Sequence, residues 1–179
     1  MTDLSSWEPF LVQSGVVLAP RPLPTREGIA DRLRTAAFAE LQAERAFNRA
    51  AEIYTDAPQS LRDAWKHLAV EETKHMNWLL GRLAEMEIDV KERPVSDSLW
   101  QSLMKCTDAR TFAHYIAESE ERGRRAGQRF HDTLLTIDEK TARIFGEIAR
   151  EEQRHIDLAY KHYPLDFEAR DATGTKAQT

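Results

Sequence analysis

A glutamate followed three positions later by a histidine occurs twice in this chain, inside two stretches of closely similar sequence. Residues 68–75 and residues 148–155 share the pattern aliphatic, Ala, any, Glu, Glu, any, base, His. On an α-helix, positions i and i+3 project from one face, so each Glu-x-x-His pair can hold a metal ion from a single helix. One such pair is weak evidence because glutamate is abundant, but two pairs in matching sequence indicate a metal site.

These pairs lie on two of four long segments in which apolar residues recur at helical three-four spacing. The four helices are predicted at about 26–54, 58–86, 109–134 and from the 136–139 region to about 163. In every helix the apolar stripe is interrupted by an acidic residue, and in two of them also by a histidine. The interrupting residues are Glu40, Glu72, His75, Glu120, Glu152 and His155.

Equal spacings relate the interrupting residues. Glu40 and Glu72 are 32 residues apart, as are Glu120 and Glu152, and 80 residues relate the first hairpin to the second. A two-fold repeat of helical hairpins therefore places four carboxylates and two imidazoles at one level of the core. This set matches the rule for di-iron and di-manganese carboxylate bundles, in which two helices each give Glu and two give Glu-x-x-His.

Charge supports a metal site at this level. Four buried glutamates without partners would each cost several kcal/mol or would have to take up protons, whereas two divalent cations would cancel their charge. Oxygen and imidazole ligands suit iron or manganese better than a thiolate-seeking metal. We therefore expect two Fe ions, with Mn or a mixed Fe/Mn pair as open alternatives and zinc also open.

Other acidic residues lie near the predicted ligands. Glu44, Glu71 and Glu151 are interpreted as surface groups or as supports for the ligands. The choice of Glu120 over Glu118 or Glu121 depends on the 32-residue spacing and on the apolar stripe.

Connection lengths predict the topology. Short turns join the first helix to the second and the third to the fourth, so each pair should form an antiparallel hairpin. The link of about 20 residues between the hairpins, with a short helix near 99–104, can cross a helix length of roughly 40 Å. The predicted fold is all-α: a ferritin-like four-helix bundle of two antiparallel hairpins joined by one long crossover.

The ends of the chain differ from this bundle. Residues 1–25 are predicted to form an irregular N-terminal arm whose apolar side chains pack on the body or on a partner, residues 26–164 the bundle, and residues 165–179 a flexible tail. Expected helix caps are Thr25 for the first helix, Thr107 or Asp108 for the third, and a capping box of Thr136 with Glu139 for the fourth.

Composition and net charge limit the expected partners and the expected cellular compartment. The net charge of −5 gives no basic footprint, so nucleic acid is not expected as a partner. The single cysteine, Cys106, cannot form an internal disulfide, which suits a reducing cytoplasm. Because no apolar run reaches the length of a membrane span, we expect a cytoplasmic protein with no membrane contact.

The six interrupting residues resemble the ligands of the ferritin-like di-iron carboxylate superfamily, which includes rubrerythrins, bacterioferritins and bacterial hydroxylases. Residues 40–43 (ELQA) look like the first-helix motif of that group, and residues of about 90–160, especially 120–123 (EERG), are similar to a bacterial ferritin-like family of unassigned function. The resemblance covers about residues 26–163. It implies a di-metal centre that meets O2 or peroxide, and it identifies no substrate.

The expected function is therefore an oxidoreductase of this class, acting as a ferroxidase, a peroxidase or a hydroxylase. A small organic substrate or a redox partner, and a homodimer, are the further partners that this interpretation allows. The alternative is a non-enzymatic metal-binding or interaction module. Two glycines inside the third helix, Gly123 and Gly127, have two open explanations: close helix contact, or an opening that admits a small molecule to the metals.

Overall fold

The computed structural model describes residues 7–165, in which the regular secondary structure is helical. Its α-helices are α1 (Arg26–Ile53), α2 (Gln59–Glu85), α3 (Ser98–Leu103), α4 (Ala109–Leu134) and α5 (Glu139–His162), with a 3-10 turn at Val90–Glu92. No β-strand forms within 7–165; an isolated bridge pairs Val12 with Val95. The first six residues of the predicted arm and, apart from Leu165, the predicted tail lie outside the described residues.

Side-chain caps define the starts of two long helices as predicted. The Thr25 hydroxyl accepts a hydrogen bond from the Gly28 amide at 3.0 Å, at the start of α1. Asp108, rather than Thr107, caps α4 by accepting from the Thr111 amide at 2.8 Å. Each cap satisfies an amide that the helix itself leaves without an acceptor.

The predicted capping box at the start of α5 is wrong. Helix α5 begins at Glu139 and its N-cap is Asp138, which accepts from the Thr141 amide at 3.1 Å. Thr136 lies two residues before this cap. A carboxylate at the N-cap also interacts favourably with the helix dipole, and Asp138 in addition pairs with Arg82 of α2 at 3.0 Å.

The long helices pair as two hairpins. Helix α1 packs along α2, and α4 packs along α5, with short turns at 54–58 and 135–138. The hairpins meet through α1 with α4 and α2 with α5, and α3, in the long 86–108 connection, packs on α1 and α4. Between residues 7 and 165, no helix has both the length and the apolarity needed to cross a bilayer.

The hydrophobic core is divided into two apolar clusters along the hairpins. One cluster contains Phe47, Leu61, Trp65 and Phe112, and the other contains Leu33, Phe38, Leu79, Leu134 and Phe145. In each of the four long helices, the residues of one cluster precede the predicted ligand positions and those of the other follow them, except for Leu41, which directly follows Glu40. The six interrupting residues therefore form a polar layer between two apolar ones.

The N-terminal arm packs partly on the helices. Phe10 is buried, and Trp7 lies edge-on to Phe38 and to Trp100, with ring centroids 5.3 and 5.6 Å apart. The Arg45 guanidinium lies over the Trp7 ring. The prediction that the arm contacts the body is thus correct for these two aromatic side chains.

A buried ion cluster holds the arm and the long connection against α1. Asp31 of α1 is 5% exposed and pairs with Arg21 of the arm, Arg34 of α1 and Arg93 of the connection. Burial alone would raise the pKa of Asp31, but the hydrogen bonds and charge of Arg21, with Arg93, lower that pKa to about 2.

Candidate metal centre

The structure brings all six predicted ligand residues together in the polar layer. Their ligand atoms form two groups in which the atoms of each group lie within 4.8 Å of one another. One group is Glu40, Glu72, His75 and Glu152, and the other is Glu72, Glu120, Glu152 and His155. Glu72 and Glu152 belong to both groups, so two ions held by these groups would share these two carboxylates.

The imidazole Nδ1 atoms are aimed at the shared glutamates. His75 Nδ1 lies 3.3 Å from a Glu152 oxygen and 3.6 Å from a Glu72 oxygen. His155 Nδ1 lies 3.0 Å from Glu72 and 3.5 Å from Glu152. The two rings are nearly parallel, with centroids 6.0 Å apart.

The two remaining glutamates lie one on each side of this arrangement. Glu40 approaches His75 Nδ1 at 3.9 Å, and Glu120 approaches His155 Nδ1 at the same distance. The repeat seen in the sequence is therefore a two-fold arrangement of side chains in space.

Seven buried atoms of this cluster have no hydrogen-bond partner among the described residues. They are both carboxylate oxygens of Glu72 and of Glu152, one oxygen of Glu120, and Nδ1 of His75 and of His155. Buried polar atoms are nearly always paired, so a concentration of unpaired acceptors at one place requires an explanation. Two cations coordinated by these atoms would supply it, and the residues present fit such a pair of ions.

Each histidine is held by a carboxylate from the opposite hairpin. His75 Nε2 of α2 lies 2.8 Å from Glu151 of α5, and His155 Nε2 of α5 lies 2.8 Å from Glu71 of α2. A proton on Nε2 donated to this carboxylate leaves the Nδ1 lone pair directed into the cluster, the usual support for a metal-ligating histidine. The structure thus places Glu71 and Glu151 beside the ligands rather than at the free surface.

The repeat marks the two supporting carboxylates as equivalent, although it does not show which histidine each one contacts. Glu71 and Glu151 are themselves 80 residues apart, as are Lys74 and Arg154, and Lys74 pairs with Glu151 while Arg154 approaches Glu71 at 3.4 Å. Burial acts to raise the pKa of Glu151, but Lys74 and His75 lower that pKa to about 2. Glu151 therefore stays ionised.

The clustered carboxyl groups perturb one another strongly. Burial, followed by the charges of neighbouring glutamates, raises the pKa of Glu40 and of Glu120 well above the ordinary value and also raises that of Glu152. Burial acts the same way on Glu72, yet Glu40 and the two histidines hold the pKa of Glu72 well below its usual range. Such a cluster holds protons that entering cations would displace.

The raised pKa values of the two histidines indicate a negative electrostatic potential at the cluster. Burial acts to lower the pKa of His75, but Glu152 and Glu72 raise it to about 10. Burial likewise opposes the charge on His155, where Glu72 is the main group that raises the pKa to about 9. A site that draws protons onto buried imidazoles this strongly also attracts metal cations.

Neighbouring acidic residues take other roles. Glu118 is exposed, and Glu121 pairs with Arg124 at 2.7 Å, so among the three candidates on α4 it is Glu120 that faces the cluster. Glu44 accepts a hydrogen bond from Asn48 at 2.6 Å.

Both helix glycines line a cavity that reaches the cluster, and Gly127 in addition lies close to the next helix. A Cβ at Gly127 would lie 3.4 Å from the Phe145 carbonyl oxygen and 3.6 Å from the Ala149 Cβ, so Gly127 permits close contact of α4 with α5. A Cβ at Gly123 would have no described atom within 4 Å, and Gly123 lines a cavity that reaches the cluster.

Comparison with known proteins places the chain in a family without assigning an activity. A search of curated proteins found no match. The sequence model of DUF455, described as a protein of unknown function, matches residues 6–176. Because this match covers nearly the whole chain, the protein belongs to the DUF455 family.

Proposed function

We propose that this protein is a di-metal carboxylate oxidoreductase with a ferritin-like four-helix bundle, which reacts with O2 or peroxide at a pair of iron ions. Manganese or a mixed Fe/Mn pair is the alternative metal content. The observation that supports the proposal is the convergence of six ligand residues with seven buried, unpaired ligand atoms at one level of the core.

Each of the two hairpins would contribute three of the six ligand residues. Glu40 and His75 would complete the ligand set of one ion, and Glu120 and His155 that of the other, with Glu72 and Glu152 shared. When bound, a pair of redox-active ions supplies the electrons that the reduction of O2 or peroxide requires.

The surrounding residues prepare the site. Glu151 and Glu71 orient the imidazoles, so that each presents Nδ1 to the cluster. Apolar layers on both sides of the cluster limit access of water along the helix axes. Phe47 in one layer lies edge-on to the His155 ring, and Leu79 in the other follows His75 by one helical turn. In this proposal no protein side chain acts as a nucleophile.

Metal-dependent reaction with O2 tests the proposal directly. Aerobic addition of Fe(II) to the metal-free protein should produce a ferric absorption band and a content of about two iron ions per chain. Glu120→Ala and Glu152→Ala should each reduce the band and the iron content, because each removes a ligand atom. Elemental analysis and absorption spectroscopy provide both measurements.

A glutamate on the same helix provides the control. Glu118→Ala removes an exposed carboxylate of α4 and should leave iron content and absorption unchanged. If wild type binds no more iron than Glu120→Ala, the proposed centre is wrong. If iron binds without any reaction with O2 or peroxide, the non-enzymatic metal-binding module replaces the oxidoreductase.

A further inference from the structure

A cavity of about 570 Å³ leads from the surface to the carboxylate cluster. Its volume lies within the roughly 300–1,000 Å³ of typical small-molecule sites. Helices α1 and α4 form its sides and α5 its back, and residues 16–20 of the arm and 93–99 of the long connection form its outer part. Its inner end is formed by the cluster glutamates Glu40, Glu72, Glu120 and Glu152.

The walls between the two ends are largely apolar. Ile116, Phe130, Phe145 and Ile148 line them, from α4 and α5. The amide of Gln42, a polar group in the wall, already donates to the Phe38 carbonyl oxygen and accepts from the Trp100 amide. A polar solute in this part of the cavity would lose hydration without gaining equivalent hydrogen bonds.

Three of the charged residues that line the cavity, which also include Arg32 and Arg122, bind one another. Asp31, which lines the cavity, is bound by Arg34 and Arg93, which also line it. These groups are therefore engaged in fastening the connection to α1, and the wall keeps its apolar character.

The rim of the cavity exposes apolar side chains. Val17 is 79% exposed and Leu18 is 42% exposed, and both line the cavity. The arm segment that carries them is held by hydrogen bonds from Gln13 to Val95 and from Arg93 to the Ala19 carbonyl oxygen, at 2.9 and 2.8 Å. An apolar rim continuous with apolar walls favours entry of a molecule that is itself apolar.

Gly123 keeps one side of the cavity open. It lies inside α4, where any other common residue except proline would favour the helix more, and no close contact of its backbone requires the absence of a side chain. Ala126, three residues later, lines the same cavity with a small side chain. Larger residues at these two positions would occupy the space between α1 and α4.

We propose that this cavity binds a small organic molecule with an apolar body, aliphatic or aromatic, and brings one end of that molecule beside the cluster glutamates. The inference rests on the proposed function, since the molecule would be the organic substrate presented to the metal centre. It favours an oxidase or hydroxylase acting on an apolar compound over an enzyme that oxidises only iron.

Fluorine NMR of a small probe tests the binding. We expect 4-fluorobiphenyl to bind the full-length protein in both the metal-free and the Mn(II)-loaded form, and bound Mn(II) to broaden the probe resonance because the probe reaches the cluster. The polar probe 2-deoxy-2-fluoroglucose should not bind, because the largely apolar walls offer it too few hydrogen bonds to replace those that it makes with water.

Two pairs of variants locate the probe. Gly123→Leu and Ala126→Leu should weaken binding of 4-fluorobiphenyl by at least about tenfold, because the new side chain occupies space that the probe needs. Gly81→Leu and Ala84→Leu are the matched controls: both positions are exposed in α2 and outside the cavity lining, and a Cβ at Gly81 also has no described atom within 4 Å. The controls should keep wild-type affinity.

Absence of 4-fluorobiphenyl binding to wild type, or binding that neither cavity variant weakens, would overturn the inference. The metal measurement is independent of this result. Binding of the probe to a protein that takes up no metal would defeat the proposed function and leave the ligand site intact. Uptake of Mn(II) without probe binding would defeat the ligand site alone.

Discussion

At the scale of single residues, the histidines show how the cluster is prepared for cations. Each imidazole has one nitrogen on a carboxylate of the opposite hairpin and the other among the shared glutamates. The crossed pairing means that Glu151, on α5, holds the orientation of His75, a proposed metal ligand on α2. Loss of that carboxylate should therefore affect metal binding although Glu151 itself is absent from both ligand groups.

Glu151→Ala should weaken binding of Mn(II) by about 10–100-fold, the range observed when carboxylate supports of metal-bound histidines are removed. The physical reason is that His75 loses the acceptor that fixes its tautomer and ring position. Competition titration against a metal chelator measures the change. Glu151→Gln, which retains an acceptor oxygen, should restore part of the affinity.

Glu118→Ala serves as the surface control for this measurement and should bind Mn(II) like wild type. Equal affinity of wild type and Glu151→Ala would show that the contact between His75 and Glu151 has no role in metal binding.

At the scale of elements, the ion cluster around Asp31 joins three segments that are distant in sequence. The arm, α1 and the long connection each contribute an arginine to the same carboxylate. Because Asp31 is almost fully buried, its ion pairs are less screened than surface pairs. The path of the connection, and with it the outer part of the cavity, depends on this cluster.

Asp31 should make the stability of the protein depend on acidity. Its folded-state pKa of about 2 lies below the ordinary 3.8, so its contribution is fully present above about pH 4 and is lost as the pH falls toward 2. A shift of this size corresponds to about 2 kcal/mol. Chemical denaturation at a series of pH values should show Asp31→Asn less stable than wild type near neutrality, with the difference shrinking below about pH 4.

Glu92→Gln provides a comparison, because Glu92 pairs with Arg21 and Arg34 but is more exposed than Asp31, so its effect should be smaller. A stability difference between wild type and Asp31→Asn that stays constant from neutral to acidic pH would contradict the assigned role.

At the scale of the whole molecule, the polar layer lowers the stability of the metal-free fold, and bound metal ions would raise that stability. Three of its glutamates have raised pKa values, and both histidines are drawn toward the charged form. The metal-free protein therefore keeps an electrostatically unfavourable layer between two well-packed apolar clusters. Ions that bind only the folded chain would stabilise it by mass action.

Removal of metal should lower the thermal stability of the whole protein. At free metal about 1,000 times the dissociation constant, binding contributes about 4 kcal/mol. For a chain of this length that corresponds to a rise in Tm of about 8–16 °C. Differential scanning calorimetry with Mn(II), and with chelator in its place, measures the difference.

The combined variant Glu120→Ala with Glu152→Ala should show no such metal dependence, because it lacks Glu152, which both groups share, and Glu120, which belongs to one of them. A wild-type Tm that is the same with and without metal would argue against two ions in the core.

The sequence by itself determined the helices and the six residues that meet in the polar layer. Helical periodicity is local, so the bounds of α1 and α4 were predicted to within a residue, and the spacing of Glu40, Glu72, Glu120 and Glu152 required them to share one level. The homodimer, the cytoplasmic location and the metal identity remain predictions.

Tertiary structure alone decided which carboxylate supports which histidine, how the arm and connection are fastened at Asp31, and that Gly123 and Gly127 both border a cavity while Gly127 also touches α5. The physical reason is that these features depend on contacts between segments that no local period relates. Side chains equivalent in the sequence pattern acquire different surroundings only when the hairpins, the arm and the connection pack together.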